Sequence, residues 1–317
     1  MLTSIGTESK GISVEFEIVA EGLQFPEGPI AMADGSVVLV EIKRQTLTRV
    51  HADGKKEVIA TMPGGPNGAA LGPDGRVYVC NNGGFEWQEV MGQTISGDAP
   101  RDYRGGSIEA VDLATGRIET LYAEVGGNRL VGPNDIVFDK QGGFWFTDHG
   151  KGFGRTRGLG GLYYALPDGS KIVEAAFPII SANGVGLSPD EKTVYVADTF
   201  AGRLLAFDLT APGEAAPSEI PIPGRPVATL PGYQFLDSLA VEENGNICVG
   251  TLLNGGITVF SPDGVTEHIA FPDLFPTNIC FGGADRRDAY ITLSGTGRLI
   301  KVRWPRPGLA LNFCTYS

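Results

Sequence analysis

Six stretches of this chain share one hydropathy pattern: a lone polar residue, a short run of small and apolar residues, a tight turn, and a second apolar run of strand length. Aligned, they read EGPIAMADGSVVLVEI from Glu27, NGAALGPDGRVYVCNN from Asn67, NDIVFDKQGGFWFTDH from Asn134, NGVGLSPDEKTVYVAD from Asn183, DSLAVEENGNICVGTL from Asp237 and NICFGGADRRDAYITL from Asn278. In every copy the polar residue stands seven positions before the same turn position, held by Asp34, Asp74, Gln141, Asp190, Asn244 and Asp285. Units of this size that alternate strand and turn signals need neighbours to bury their faces, which marks a repeat architecture. The pattern predicts an all-β fold, a six-bladed β-propeller. Further strands are expected at Thr46 to His51, Gly106 to Asp112, Gly161 to Leu166, Arg203 to Leu209 and Gly256 to Ser261, near Asp-Gly or Thr-Gly hairpin turns. A strand from Ser13 to Leu23 and one from Arg298 to Trp304 are expected to share a blade and close the ring, with residues 1–317 forming a single domain.

The register also points to a site. If the polar residue opens each innermost strand, radial symmetry gathers Glu27, Asn67, Asn134, Asn183, Asp237 and Asn278 around one mouth of the central channel. All six offer oxygen acceptors, two carry negative charge, and none is Cys or His, which suits one hard divalent cation. Calcium fits best; oxygen donors also accept magnesium, manganese or zinc.

Composition narrows the class. The 46 Gly and 21 Pro exceed what a helix-rich fold carries, while 42% hydrophobic residues exclude a disordered chain. A net charge of −12 without a Lys or Arg run argues against nucleic acid or an anionic membrane as partner and for a small molecule. The start, MLTSIGTESKGISVEFEIV, lacks a basic segment followed by an apolar core, so a soluble, unexported, cytoplasmic protein is expected. Cys80, Cys248, Cys280 and Cys314 lie far apart and read as free thiols without a metal role.

Two long insertions are expected on the metal-site face, because a hairpin's second strand returns to the face where its first began. The run from Asn81 to Gly106 is too polar and Gly-rich for strands but carries Phe85, Trp87 and Tyr103; the run from His149 to Gly160 carries Lys151, Arg155 and Arg157. Both are candidate lids or pocket walls. The stretch Ala211 to Pro217 reads as a surface excursion. Glu41, Asn82, Asp148, His149, Asp198 and Thr251, at the ends of second strands, are candidates to orient the ring amides.

The segments FPEGP from Phe25, RLVGPND from Arg129, ANGVGLSP from Ala182 and LDSLA from Leu236 resemble, in order, four signature segments of one family. It unites gluconolactonases, senescence marker protein 30 and luciferin-regenerating enzyme, and the resemblance runs from about Val19 to Val302. It implies a six-bladed propeller with one catalytic divalent metal in the channel, and hydrolysis of sugar (aldono) lactones such as gluconolactone. Carried over, Glu27, Asn183 and Asp237 would bind the metal, Asn134 would touch metal or substrate, and Asp237 would double as general acid or base. Asn67 and Asn278 are not usual ligands there and would hold substrate, water or backbone. Related propellers are often monomers or dimers, so a monomer or homodimer is expected here. Two departures bear on the substrate: the third repeat continues His149-Gly150-Lys151-Gly152 where bacterial relatives carry a Pro-rich segment, and the position of a sugar-binding Arg is Gly132, the nearest Arg being Arg129. Arg129 and Trp87 are therefore also pocket candidates.

Competing chemistry is poorly supported. No GxSxG elbow is present, and neither glycine run carries a phosphate-loop GxxxxGK[ST]. Of the three histidines only His149 falls near the predicted site, where a hydrogen-bonding role is expected. Two other functions remain open: cleavage of aryl lactones, other esters or organophosphates, favoured by the aromatic loop, and a non-catalytic propeller that binds a partner around a structural metal.

Overall fold

In the computed structural model, residues 12–218 and 223–316 are described; of the leading stretch read above for an export signal, residues 1–11 fall outside this set. Every regular element among the described residues is a β-strand, and no helix among them is long and apolar enough to cross a membrane. The strands build six blades, each a meander of antiparallel strands. The innermost strands are Pro26–Ala31, Pro66–Leu71, Pro133–Phe138, Ala182–Leu187, Phe235–Val241 and Pro276–Gly282, so each of the six sequence copies supplies the first hairpin of one blade. Third strands lie where expected, at Thr46–Val50, Ser107–Val111, Gly160–Ala165, Arg203–Ala211 and Gly256–Ser261. In the sixth blade Phe16–Ala20 pairs antiparallel with Arg298–Arg303 as the outermost strand, joining the two ends of the chain.

The second strands explain the apolar runs. Val37–Glu41 and Phe144–Asp148 are buried at every position, because each blade is covered on both faces by its neighbours. Between each pair of adjacent blades lies one apolar cluster; the cluster of Leu23, Val37, Leu39, Cys280, Tyr290 and Leu299 joins the sixth blade to the first. Closure removes the exposed sheet edges that an open array would present. The turn position of the repeat is chemically necessary too. Asp34, Asp74, Asp190, Asn244 and Asp285 each accept a hydrogen bond from the backbone N–H two residues on. In the third blade Asp139 makes that bond in place of Gln141.

One irregularity positions the site. In all six blades the pairing of the first hairpin shifts register beside the ring residue, for example between Glu27 and Ile30, Ala182 and Val185, and Leu236 and Leu239. Such bulges bend a strand and re-aim its side chains. The following position is small where strands approach closely: a Cβ at Gly184 would stand 2.6 Å from the Asp237 carbonyl oxygen.

Two sequence readings need correction. The insertion from Asn81 to Gly106 contains a hairpin, Trp87–Val90 with Gln93–Ser96, held by contacts far away in sequence: Thr94 N–H donates to the Gly295 carbonyl at 2.9 Å, and Gln93 accepts from Leu274 N–H. In the stretch Ala211 to Pro217, Glu214–Ala215 folds back to pair with Leu209 and Ala211. All four cysteines are free, three of them buried.

Candidate active site

Glu27, Asn67, Asn134, Asn183 and Asp237 line the floor of one cavity of about 430 Å³ at the mouth of the channel. Asn278 does not open into it. Its amide Nδ2 donates to Glu27 Oε2 at 2.7 Å, and its own Oδ1 accepts from Ile279 N–H, so it holds the Glu27 carboxylate from behind. Gly28 N–H donates to the same Oε2 at 2.6 Å. Glu27 Oε1 is thereby aimed away from these partners, buried and unpaired. Asn134 Oδ1 is likewise buried without a partner.

Asn183 is fixed through Nδ2, which donates to Thr199 Oγ1 at 3.1 Å, and its amide lies close enough to the Asp237 carboxylate to favour the charged form. Asp237 is half-buried and accepts Ser238 N–H at 3.1 Å. A third carboxylate, Asp135, lies buried just below the ring and accepts N–H bonds from Val185 and Ile136. Sequence reasoning missed Asp135 and Thr199. Asp135 occupies the position after the ring residue, which is Gly in three copies and Ser in a fourth, so its charge was the available signal.

Electrostatically this floor is unbalanced. Burial raises the Glu27 carboxyl to about 7, against the hydrogen bonds from Asn278 and Gly28. Burial and the Glu27 charge raise Asp135 to about 8 and lift Asp237 well above the usual carboxylate range. Among the described residues no cationic side chain is a leading cause of any of the three shifts. Unpaired buried oxygens among mutually repelling carboxylates are what a divalent cation would relieve. Among the described residues no three His, Cys, Asp or Glu side chains are arranged to hold a metal, so the fitting donor set mixes carboxylate with carboxamide oxygen: Glu27, Asp237, Asn183 and Asn134.

The second-strand residues bond to loops and neighbouring strands, and none of these bonds reaches a ring amide. Asp148 accepts N–H bonds from Val131, Gly132 and Gly150; Asp198 accepts from Ser181; Glu41 accepts from Gln24 N–H, Arg44 and Thr48. Thr251 pairs with Thr258, and Asn82 with Gly84 N–H and Lys151. Arg129 is exposed and donates to the Arg104 carbonyl, outside the cavity lining. Trp87 also stands outside it, packed against Phe25 at 5.0 Å, so it supports the wall from behind.

Both insertions do reach this face, and they are stitched together. Lys151 Nζ is buried, donates to the Gly84 carbonyl at 2.6 Å and to Asn82, and lies 3.6 Å from the Phe85 ring centroid. Ala99 N–H donates to the Gly152 carbonyl, and Gly154 N–H to Asp98. Burial lowers Lys151 to about 7, whereas Asp148 opposes that shift. His149 lines the cavity and is pushed down to about 3 by burial and the charges of Arg157 and Lys151, so it stands neutral and accepts a bond from Arg157 at Nδ1.

Comparison with known proteins identifies the family. The description of the SMP-30/gluconolactonase/LRE-like region matches residues 25–295. The chain belongs to that family. The lactonase drp35 of Staphylococcus saprophyticus is 32% identical over 251 residues, covering 78% of this chain and 69% of the relative. A lactonase drp35 of Staphylococcus aureus is 30% identical over 256 residues, with the same coverage of each. Among solved structures, a gluconolactonase of Xanthomonas campestris superposes with a TM-score of 0.72 at 23% identity, covering 92% of this chain and 90% of the other. The calcium-binding protein regucalcin of Agrobacterium tumefaciens gives 0.71 at 20% identity, covering 95% and 99%. At those identities the structures speak for the shared six-bladed propeller, while the family match spans all six ring residues.

Proposed function

We propose that this protein is a lactonase that opens its substrate to the hydroxy acid with help from a divalent cation at the channel mouth. The observation that carries the reading is the pair of buried, unpartnered oxygens, Glu27 Oε1 and Asn134 Oδ1, on the floor of a cavity that also contains Asp237. Held by Glu27, Asn183 and Asp237, with Asn134 beside them, the cation would supply positive charge where negative charge develops on the carbonyl oxygen. The chain's own residues do the rest. Glu27, clamped by Asn278 and Gly28, presents one fixed oxygen; Asn183 is clamped by Thr199, and Asp237 is held by Ser238 N–H. Asp237 takes the proton from the attacking water and delivers it to the ring oxygen as the acyl C–O bond breaks. Beside a bound cation Asp237 would stand ionised at neutral pH, the form that can accept that proton, because a nearby positive charge favours the carboxylate. Ionisation of the new carboxylic acid releases one proton per turnover at neutral pH.

Aldonolactones such as gluconolactone are the substrates the resemblance implies. The cavity wall favours a second reading, an aryl or otherwise apolar lactone, because Phe25, Phe85, Phe200, Phe235 and Phe275 all line it. A polyol gains little from such walls, whereas flat rings stack on them. Acid release by pH-stat on chelator-stripped protein, with calcium, magnesium, manganese or zinc restored in turn, tests both: gluconolactone against dihydrocoumarin separates the substrates. Silence on every lactone, with cation bound, would leave the partner-binding alternative.

A further inference from the structure

One cation that lines the cavity has no ion-pair partner among the described residues. Arg157, from the hairpin Gly152–Phe153 with Thr156–Arg157, lines the same cavity as Glu27 and Asp237. Its Nη2 donates to His149 Nδ1 and to the His149 carbonyl, both at 2.8 Å. The guanidinium carbon stands 4.5 Å from the centroid of Phe200, so the ring face supports it. Its Nε is buried and unpaired. Three carboxylates, Asp198, Asp148 and Asp98, act on it through space, but each is committed elsewhere: Asp148 to three backbone amides, Asp198 to Ser181, Asp98 to Gly154 N–H. Among the described residues none of them forms an ion pair with Arg157. The imidazole beside it is neutral, so it accepts a bond from Arg157 without neutralising its charge.

A guanidinium fixed by two bonds, backed by an aromatic ring and left with an orphan donor is preorganised for an oxyanion. In a chain of net charge −12, no general attraction of anions explains it. We propose that the substrate carries, apart from the lactone carbonyl, an anionic substituent, carboxylate or phosphate, and that Arg157 is the residue that selects it. The inference rests on the lactonase reading and deepens it. It also assigns a purpose to the His149-Gly150-Lys151 segment: these residues fix the hairpin from which Arg157 reaches the cavity.

The test compares matched lactones. 5-Oxotetrahydrofuran-2-carboxylate differs from γ-valerolactone by a carboxylate in place of a methyl group, and 6-phosphogluconolactone differs from gluconolactone by a phosphate. The charged member of at least one pair is expected to have a kcat/KM higher by about tenfold to a hundredfold, carried by KM, the range of a charge-assisted hydrogen bond. The two pairs tell carboxylate from phosphate. In Arg157→Gln the charged-to-neutral ratio collapses, whereas Arg157→Lys keeps part of it. Equal ratios in the wild type, or a preference that survives Arg157→Gln, would overturn the proposal.

Failure of the lactonase reading looks different: no lactone of either pair is opened. Calorimetry then decides the anion site with the ring-opened products, 2-hydroxyglutarate against 4-hydroxypentanoate. Tighter binding of the dicarboxylate that Arg157→Gln abolishes supports the site. Equal binding of the two, or a difference that the variant keeps, as chelation of a cation would give, overturns it.

Discussion

Replacing Glu27 with Gln should stabilise the cation-free protein at pH 8 and destabilise the cation-loaded one. Glu27 is buried and its carboxyl rises from 4.5 to about 7, chiefly through desolvation. A carboxyl with a raised folded-state value contributes stability that is present below its unfolded value and lost as pH rises through the folded one. The penalty is therefore absent below about pH 4, under about 1 kcal/mol at pH 5, and about 3 kcal/mol at pH 8. Gln keeps an oxygen to accept the bonds of Asn278 and Gly28 but cannot ionise, so it escapes that penalty and relieves Asp237 and Asp135 as well. The assay is urea denaturation of chelator-stripped wild type and Glu27→Gln at pH 5 and pH 8, repeated with calcium. Without cation the variant should be more stable at pH 8 by about 3 kcal/mol and nearly equal to the wild type at pH 5. With cation the wild type should gain and overtake it, because only the wild type has the second carboxylate of the ring. A variant less stable than wild type at pH 8 without cation, or equal cation-induced gains in both, would refute the reasoning.

Asp237→Asn should keep the fold, since the side chain is half-buried at a cavity floor, yet lower kcat by about a hundredfold to ten-thousandfold, measured by pH-stat. Asn278→Ala removes the 2.7 Å bond to Glu27 and should weaken cation affinity by about tenfold to a hundredfold in calorimetry, with little change in unfolding. Arg306→Met, at Glu242, strips a partner from a carboxylate buried near Trp304 and should lower stability by about 3 kcal/mol in urea without affecting hydrolysis.

The blades and the ring were legible because symmetry wrote them six times: one polar residue, one turn, a fixed spacing between. The same symmetry misplaced Asn278. Its amide points at Glu27 and away from the cavity, because the sixth blade meets the first across the closure, where a carboxylate stands instead of an amide. The hairpin within Asn81 to Gly106 was not legible, since its pairing leans on Leu274, 181 residues from Gln93, and on the still more distant Gly295. Trp87 and Arg129 drew notice by type, yet neither lines the cavity; Phe200 and Phe235, which do, follow or precede ring-related residues without any pattern of their own. Residue types announce a pocket only when the backbone between them is known.

The central claim is that the ring holds the cation on which lactone opening depends. The most direct measurement is a titration of chelator-stripped protein with calcium, recording bound ion and the initial rate of acid release together, for wild type and Glu27→Ala. The account predicts a rate that rises with the ion and saturates near one per chain in the wild type, with neither binding nor rate in the variant. Full activity in stripped protein, or a full complement of ion in Glu27→Ala, would contradict it.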